Sequence, residues 1–325
     1  MKRGPTALAL VLMIFAGGLL LGQDQKEFAD YREMRAYVGE LFAQKKYAEA
    51  AALLESVLDR YPDKVMANSF NLAAARVYLG QADGAVEALE EGLRRGVFYG
   101  LWDFTAAFWD PLRGTPRFEA FLAANRAKVD EASGKAVLLT DVVTPEGYDP
   151  ARRYPLFIAL HGGGETMADL KPLWTSPRLR SEFIVVYVQS TQVAGMNGFH
   201  WQDAARTQRD VGSAYKKVVA EYPVDTARVL IGGFSSGGYG AMVTAFADPF
   251  SVRGFVALCP SVPEDLRDEA ILAAKSRGLR GTLLTTGLDH RLEAQRALAG
   301  RMAELGLAIA IHETPNIGHW FPEDF

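Results

Sequence analysis

The chain holds a single cysteine, Cys259, in 325 residues. An intramolecular disulfide is therefore impossible, and no Cys/His cluster has the spacing of a zinc site. Histidine is nearly as scarce. His161, His200, His290, His312 and His319 are scattered, and His312-Glu313 lacks the second histidine that a metalloprotease helix requires. Neither a metal nor a cofactor is expected on these residues. Dense Lys/Arg blocks are missing too, and the formal net charge is −4, which argues against nucleic acid as the main partner. What the chain does have is apolar residues, 49% of the total. That is enough for a sizeable core, and the length suits two domains rather than one.

A long uncharged, strongly apolar run stands at the start. Lys2 and Arg3 precede a stretch from Gly4 to Gln23 rich in Leu, Val, Ile and Phe, the charged and apolar regions of a secretory signal. Gly17, Gly18 and Gly22 are small, but no Ala-x-Ala cleavage site occurs. Two outcomes stay open for residues 1–23: cleavage near Gly22, or retention as an anchor, since about 20 apolar residues can just span a bilayer. Export to a periplasmic or extracellular location is expected, with a membrane as partner only if the segment is retained.

Residues 26–130 are rich in Ala, Leu, Glu and Arg with helical periodicity. Ala50, Leu54 and Leu58 of one amphipathic segment recur as Ala85, Leu89 and Leu93 of another, 35 residues on. Each is preceded by a further helical pattern, Tyr31 to Ala43 and Ala67 to Leu79, and Pro62 suits a helix stop. Helix–turn–helix units of this period resemble tetratricopeptide repeats. Trp102 to Phe121 would then be a capping helix pair. Two roles compete for this all-α region: binding a protein partner, or packing against the second domain.

Over residues 135–325 the pattern changes to short apolar strands alternating with helices, which implies an α/β domain with a doubly wound, mostly parallel sheet. Strands are expected over 137–143, 155–160, 183–189, 228–232, 254–259, 282–286 and 307–313. Between the fourth and fifth lies Gly233-Phe-Ser235-Ser-Gly237, whose Gly-x-Ser-x-Gly spacing reads as a sharp turn from strand into helix. Ligands of such sheets sit at the carboxyl ends of the strands, and every chemically suggestive motif here follows a strand.

In order, these motifs are His161-Gly-Gly-Gly164, Gly233-Phe-Ser235-Ser-Gly237, Gly287-Leu-Asp289 and Gly318-His319. Together they resemble the α/β-hydrolase superfamily across 137–325. The wording around Trp201-Gln-Asp203 looks most like the feruloyl-esterase, polyhydroxybutyrate-depolymerase and dienelactone-hydrolase-like groups. Dienelactone hydrolases carry cysteine at the elbow where this chain has serine. The resemblance implies Ser235 as nucleophile, His319 as general base and Asp289 as its orienting acid, in the superfamily's chain order. It implies an oxyanion hole from the backbone of Ser236 with Gly162 and Gly163. Trp201, Phe199 and Trp320 are candidates to line the site. Rivals are His290 and His312 for the base, and Asp265 and Asp268 for the acid. His161 is expected to fix its loop, and Cys259 to belong to the core.

The implied activity is cleavage of a carboxylic ester, from a small molecule or a polymer, through an acyl-enzyme. A peptidase or acyltransferase would use the same constellation, and a partner-binding protein would use the fold only as a scaffold. The stretch from Cys259 to Thr282 holds one helix and no cap domain, so an open site is expected. Only six residues follow His319, where the superfamily usually has a closing helix. Either the N-terminal helices replace that cover or the chain is shortened there.

Overall fold

The computed structural model describes residues 27–196, 198–323 and 325. The expected signal or anchor at 1–23 lies outside them. Among the described residues no helix is long and apolar enough to cross a membrane.

Two helical hairpins come first among the described residues: α1 (Tyr31–Ala43) with α2 (Tyr47–Val57), and α3 (Val65–Tyr78) with α4 (Ala82–Arg94). Asp30 caps α1, its carboxylate accepting from the Glu33 N–H at 2.9 Å. The repeated positions Ala50 and Leu54, Ala85 and Leu89 all face inward and are buried, so the 35-residue recurrence marks one packing face used twice. The aromatic residues after α4 do not form a capping helix pair. Short 3₁₀ turns at Leu101–Phe104 and Ala107–Trp109 lead into one long helix, α5 (Pro116–Lys135). Phe104, Trp109, Phe118 and Phe121 fill the core of this region, consistent with aromatic residues at helical spacing being core.

The second part is built on a seven-stranded sheet. Its strands are β1 (Leu139–Val143), β2 (Tyr154–Leu160), β3 (Ile184–Gln189), β6 (Val224–Phe234), β7 (Gly254–Leu258), β8 (Arg280–Thr286) and β9 (Ala308–Thr314). A separate antiparallel hairpin comprises β4 (Gln192–Gly195) and β5 (Gly198–His200). The large sheet runs β1-β3-β2-β6-β7-β8-β9, with only β1 antiparallel to its neighbour. Every residue of β2 and β3 is buried, because a central parallel strand is covered on both faces and reads as a continuous apolar run.

One face of the sheet is covered by α8 (Ala204–Glu221), α9 (Ser236–Ala247), α10 (Asp268–Ser276) and α11 (Leu292–Glu304). The other has the short α6 (Met167–Leu170) and α7 (Pro177–Glu182) with Phe321 and Phe325. This is the α/β-hydrolase architecture, with a helical region before it. The strand order brings the C-terminal ends of β2, β6 and β8 and the loop after β9 to one edge, where the four motifs meet.

A groove of about 420 Å³ on the second face is lined by Phe157, Trp174, Leu179 and Phe325 and, among the described residues, by none of the helical region. The helices instead meet the motif-bearing edge. Gly100 abuts β4 so closely that an added Cβ would lie 2.6 Å from the Ala194 carbonyl oxygen, and Arg206 donates to the Ser133 carbonyl at 3.1 Å.

Candidate active site

Strand β6 ends in a turn that only glycines permit. A Cβ on Gly233 would stand 2.4 Å from the Gly237 carbonyl carbon, and one on Gly237 would stand 2.2 Å from the Leu160 carbonyl oxygen. Strand β2, β6 and α9 therefore touch through bare backbone. Between these glycines Ser235 adopts φ 54° and ψ −112°, a region costly for any residue with a side chain. Three backbone hydrogen bonds hold it there: its N–H donates to Leu258 at 2.8 Å, and its carbonyl accepts from Tyr239 and Ser261, each at 3.1 Å. The strain lifts Oγ out of the sheet and into a cavity.

His319 closes the distance from the far end of the chain. Its Nε2 lies 2.9 Å from Ser235 Oγ and its Nδ1 lies 3.0 Å from Asp289 Oδ2. A carboxylate can only accept, so Nδ1 carries the proton and Nε2 is left as an acceptor for the serine hydroxyl. Asp289 is buried. Burial alone would raise its pKa, but donors from the Arg291 N–H, His319 and Gln295 outweigh that and hold the carboxyl below its ordinary range. Burial also lowers the His319 pKa. Its hydrogen bond and charge pairing with Asp289 oppose this, while the neighbouring Arg291 and His290 add to the lowering.

The base form of His319 thus persists below pH 6.5, its ordinary midpoint. The acid limb of a kcat/KM profile should fall below that value, with activity lost as His319 protonates and a plateau above. A limb centred at or above 6.5 would contradict this placement of the ring.

Of the proposed oxyanion donors, Gly163 and Ser236 line the cavity beside Ser235, and a Cβ on Gly163 would come 3.3 Å from that of Ser236. Gly162 is placed differently from the expected donor. Its N–H donates to Glu165 Oε2 at 2.9 Å, so it fixes the loop rather than facing the cavity. Glu165 is the residue the sequence reading missed, an acid three positions on that ties the loop back on itself. Hairpin β4–β5 braces the same loop, with Gly164 N–H donating to Phe199 O at 2.8 Å and Phe199 N–H to Glu165 O at 3.0 Å.

Trp201 does not line the cavity as expected. Its side chain is fully buried, packs on Gly240, and donates its indole N–H to the His161 carbonyl at 3.0 Å. It is a core residue under the site, and its neighbour Gln202 lines the cavity instead. Trp320 is half-exposed, edge-on to Phe234 at 5.7 Å between ring centroids. His161 is buried against Gln189 and Ser190, and burial takes its pKa down to about 4. It is neutral in the fold but titrates normally once unfolded, so unfolding takes up a proton between those pH values. Stability should decline as pH falls from 6.5 toward 4, by at most about 1.4 kcal/mol per pH unit from this group, as read from urea unfolding curves. The rivals sit elsewhere: His312 is on the exposed strand β9, and Asp268 pairs with Arg301. His290 is exposed, though its Nδ1 approaches the other Asp289 oxygen at 3.3 Å.

Cys259, Asp289 and His319 each bring one ligand-type atom within 4.8 Å of the others. This set suits a metal poorly. Both His319 nitrogens are engaged by the serine and the aspartate, and the buried Cys259 thiol lies 3.3 Å from Thr286 Oγ1.

The cavity measures about 480 Å³. Its walls come from both parts of the chain: Met66, Gly100 and Asp103 from the helical region, and Gly163, Gln202, Ser235, Ser261 and Arg291 from the other. The open site expected from the missing cap domain is therefore partly walled by the N-terminal helices.

No protein-family model matches the chain, and no curated protein does. Among solved structures, an uncharacterized protein from Bacillus cereus is 22% identical, with a TM-score of 0.50 over 90% of this chain and 94% of the other. That likeness spans both the helical and the sheet regions. Esterase PE8 is 18% identical over 57% of this chain and 93% of its own, with a TM-score of 0.46. A thermophilic esterase from Thermogutta terrifontis, bound to propionate, is 16% identical over 57% of this chain and 80% of its own, with a TM-score of 0.44.

Proposed function

We propose that the chain is a serine hydrolase that cleaves carboxylic esters through an acyl-enzyme, and that it acts after export. The observation that carries this reading is the unbroken line of hydrogen bonds from buried Asp289 through His319 to Ser235 Oγ on a strained elbow. Ser235 Oγ attacks the ester carbonyl while its proton passes to His319 Nε2. The backbone N–H groups of Ser236 and Gly163 receive the oxyanion, an interaction worth about 2.7–4 kcal/mol for each donor. Imidazolium stabilised by Asp289 then protonates the leaving alcohol. Water, deprotonated by the same nitrogen, releases the acid and restores Ser235.

The helical region, with its tetratricopeptide-like spacing, acts in this reading as a wall of the substrate cavity. Met66, Gly100 and Asp103 on the cavity surface favour that role over a free partner-binding scaffold. A panel of p-nitrophenyl acetate, butyrate and octanoate beside butyryl p-nitroanilide tests the activity. Esters should turn over with an initial burst of nitrophenol, and the anilide far more slowly. Anilide turnover equal to that of the esters would move the chain to the peptidases, and no turnover of any would remove the hydrolase reading.

A further inference from the structure

Arg291 has an odd position. Its backbone N–H is fixed to Asp289 Oδ1 at 2.9 Å, its side chain lines the cavity, and its Nη1 stands 3.4 Å from His319 Nε2. A guanidinium cannot accept, so it points an N–H at the lone pair that must receive the serine proton. It also disfavours the imidazolium on which catalysis depends. Other half-buried arginines have acceptors in the protein: Arg76 pairs with Glu55, Arg277 with Asp248, and Arg206 donates to the Ser133 and Thr191 carbonyls. Arg291 forms no ion pair among the described residues. A half-buried cation that opposes the base and is held in no ion pair is explained if an anion arrives with the substrate.

We infer that Arg291 receives a carboxylate carried by the alcohol part of the ester, so that the natural substrate is an ester of a hydroxy acid. This rests on the esterase reading above. The alcohol side follows from which nitrogen Arg291 approaches. Nε2 is the atom that returns its proton to the departing oxygen, so a group beside it lies along the leaving group's path. A carboxylate matches the planar fork of a guanidinium and is a stronger acceptor than a neutral ring nitrogen. Binding it draws the guanidinium off Nε2 and leaves that lone pair to Ser235.

The opposite charge guides orientation. Asp103, on the wall formed by the helical region, lines the same cavity with its Oδ2 accepting from the Gly100 N–H at 2.9 Å, and an acidic residue there makes that wall the poorer place for an anion. In the reaction the Ser235 oxygen bonds to the acyl carbon and its proton moves to Nε2. The bond from that carbon to the alcohol oxygen breaks, the oxygen takes the proton, and the hydroxy acid leaves from Arg291. Arg291 exchanges no proton; it positions the leaving group.

The test compares 4-acetoxybenzoate with its uncharged methyl ester, which share one acyl group, in the wild type, Arg291→Gln and Arg291→Lys. The ratio of kcat/KM for the charged to the neutral ester should fall about tenfold or more in Arg291→Gln, the scale of a charge-assisted hydrogen bond, and recover in part in Arg291→Lys. In parallel, calorimetry measures 4-hydroxybenzoate binding to Ser235→Ala and to the same protein carrying Arg291→Gln. Binding should occur in the first and weaken similarly in the second. An unchanged ratio, or product binding indifferent to Arg291 or absent from both, overturns the inference while leaving turnover of neutral esters to speak for the esterase. If no ester is hydrolysed but binding depends on Arg291, the carboxylate site stands and the esterase reading falls.

Discussion

Ser235→Ala should lower kcat on p-nitrophenyl esters by a factor on the order of 10⁶, the loss expected when a triad nucleophile is removed. The fold should survive, because Ser235 is held by backbone hydrogen bonds to Leu258, Tyr239 and Ser261 and not by its side chain. The hydroxyl's one described partner is His319. The companion variant is Asp289→Asn, which leaves the histidine beside the serine but favours the wrong tautomer, at a cost of about 10⁴. Stopped-flow or long-time turnover assays reach both levels. A Ser235→Ala protein retaining more than a hundredth of the activity would place the nucleophile elsewhere.

Gly237→Ala should be severely damaging for a single added methyl. The added carbon would lie 2.2 Å from the Leu160 carbonyl oxygen and 2.5 Å from that of His161. Both are backbone atoms at the end of a buried central strand, so no side chain can swing aside. Strand β2 would have to part from α9, and we expect a loss above about 4 kcal/mol, at the extreme of single substitutions. Gly212→Ala in α8 is the matched control, since nothing lies within 4 Å of its added carbon. There a helix-interior glycine is replaced at a gain of roughly 0.5–1 kcal/mol. Urea unfolding of the two variants beside the wild type reads the contrast. Equal midpoints for both would contradict the close approach of β2 and α9.

The two glycines of the elbow also show why part of this site was readable in the sequence. Their spacing is a property of adjacent residues, and the strand–helix alternation around them is a local pattern. The same holds for Asp289 and His319, each just past an apolar strand, and for the buried stripe Ala50, Leu54, Ala85 and Leu89. Other features depend on distant segments. Whether Gly162 or Gly163 faces the cavity is decided by Glu165, whose carboxylate takes one N–H and leaves the other. Trp201 reads as a site aromatic because it stands beside strand-end polar residues, yet Gly240 on α9 provides a slot that buries it. Arg291 and Gln295 had no local signal, because their roles follow from how α11 starts against Asp289. That the helical region walls the cavity through Met66 and Asp103 follows from docking of two regions, which no local pattern encodes.

The central claim is that Ser235 is a nucleophile activated by His319. Labelling with a fluorophosphonate, followed by mass spectrometry of the peptides, measures it most directly. A single adduct on Ser235, absent in Ser235→Ala and formed far more slowly in His319→Ala, is the predicted result. A folded wild-type protein that takes no label, or a label that persists in Ser235→Ala, would contradict it.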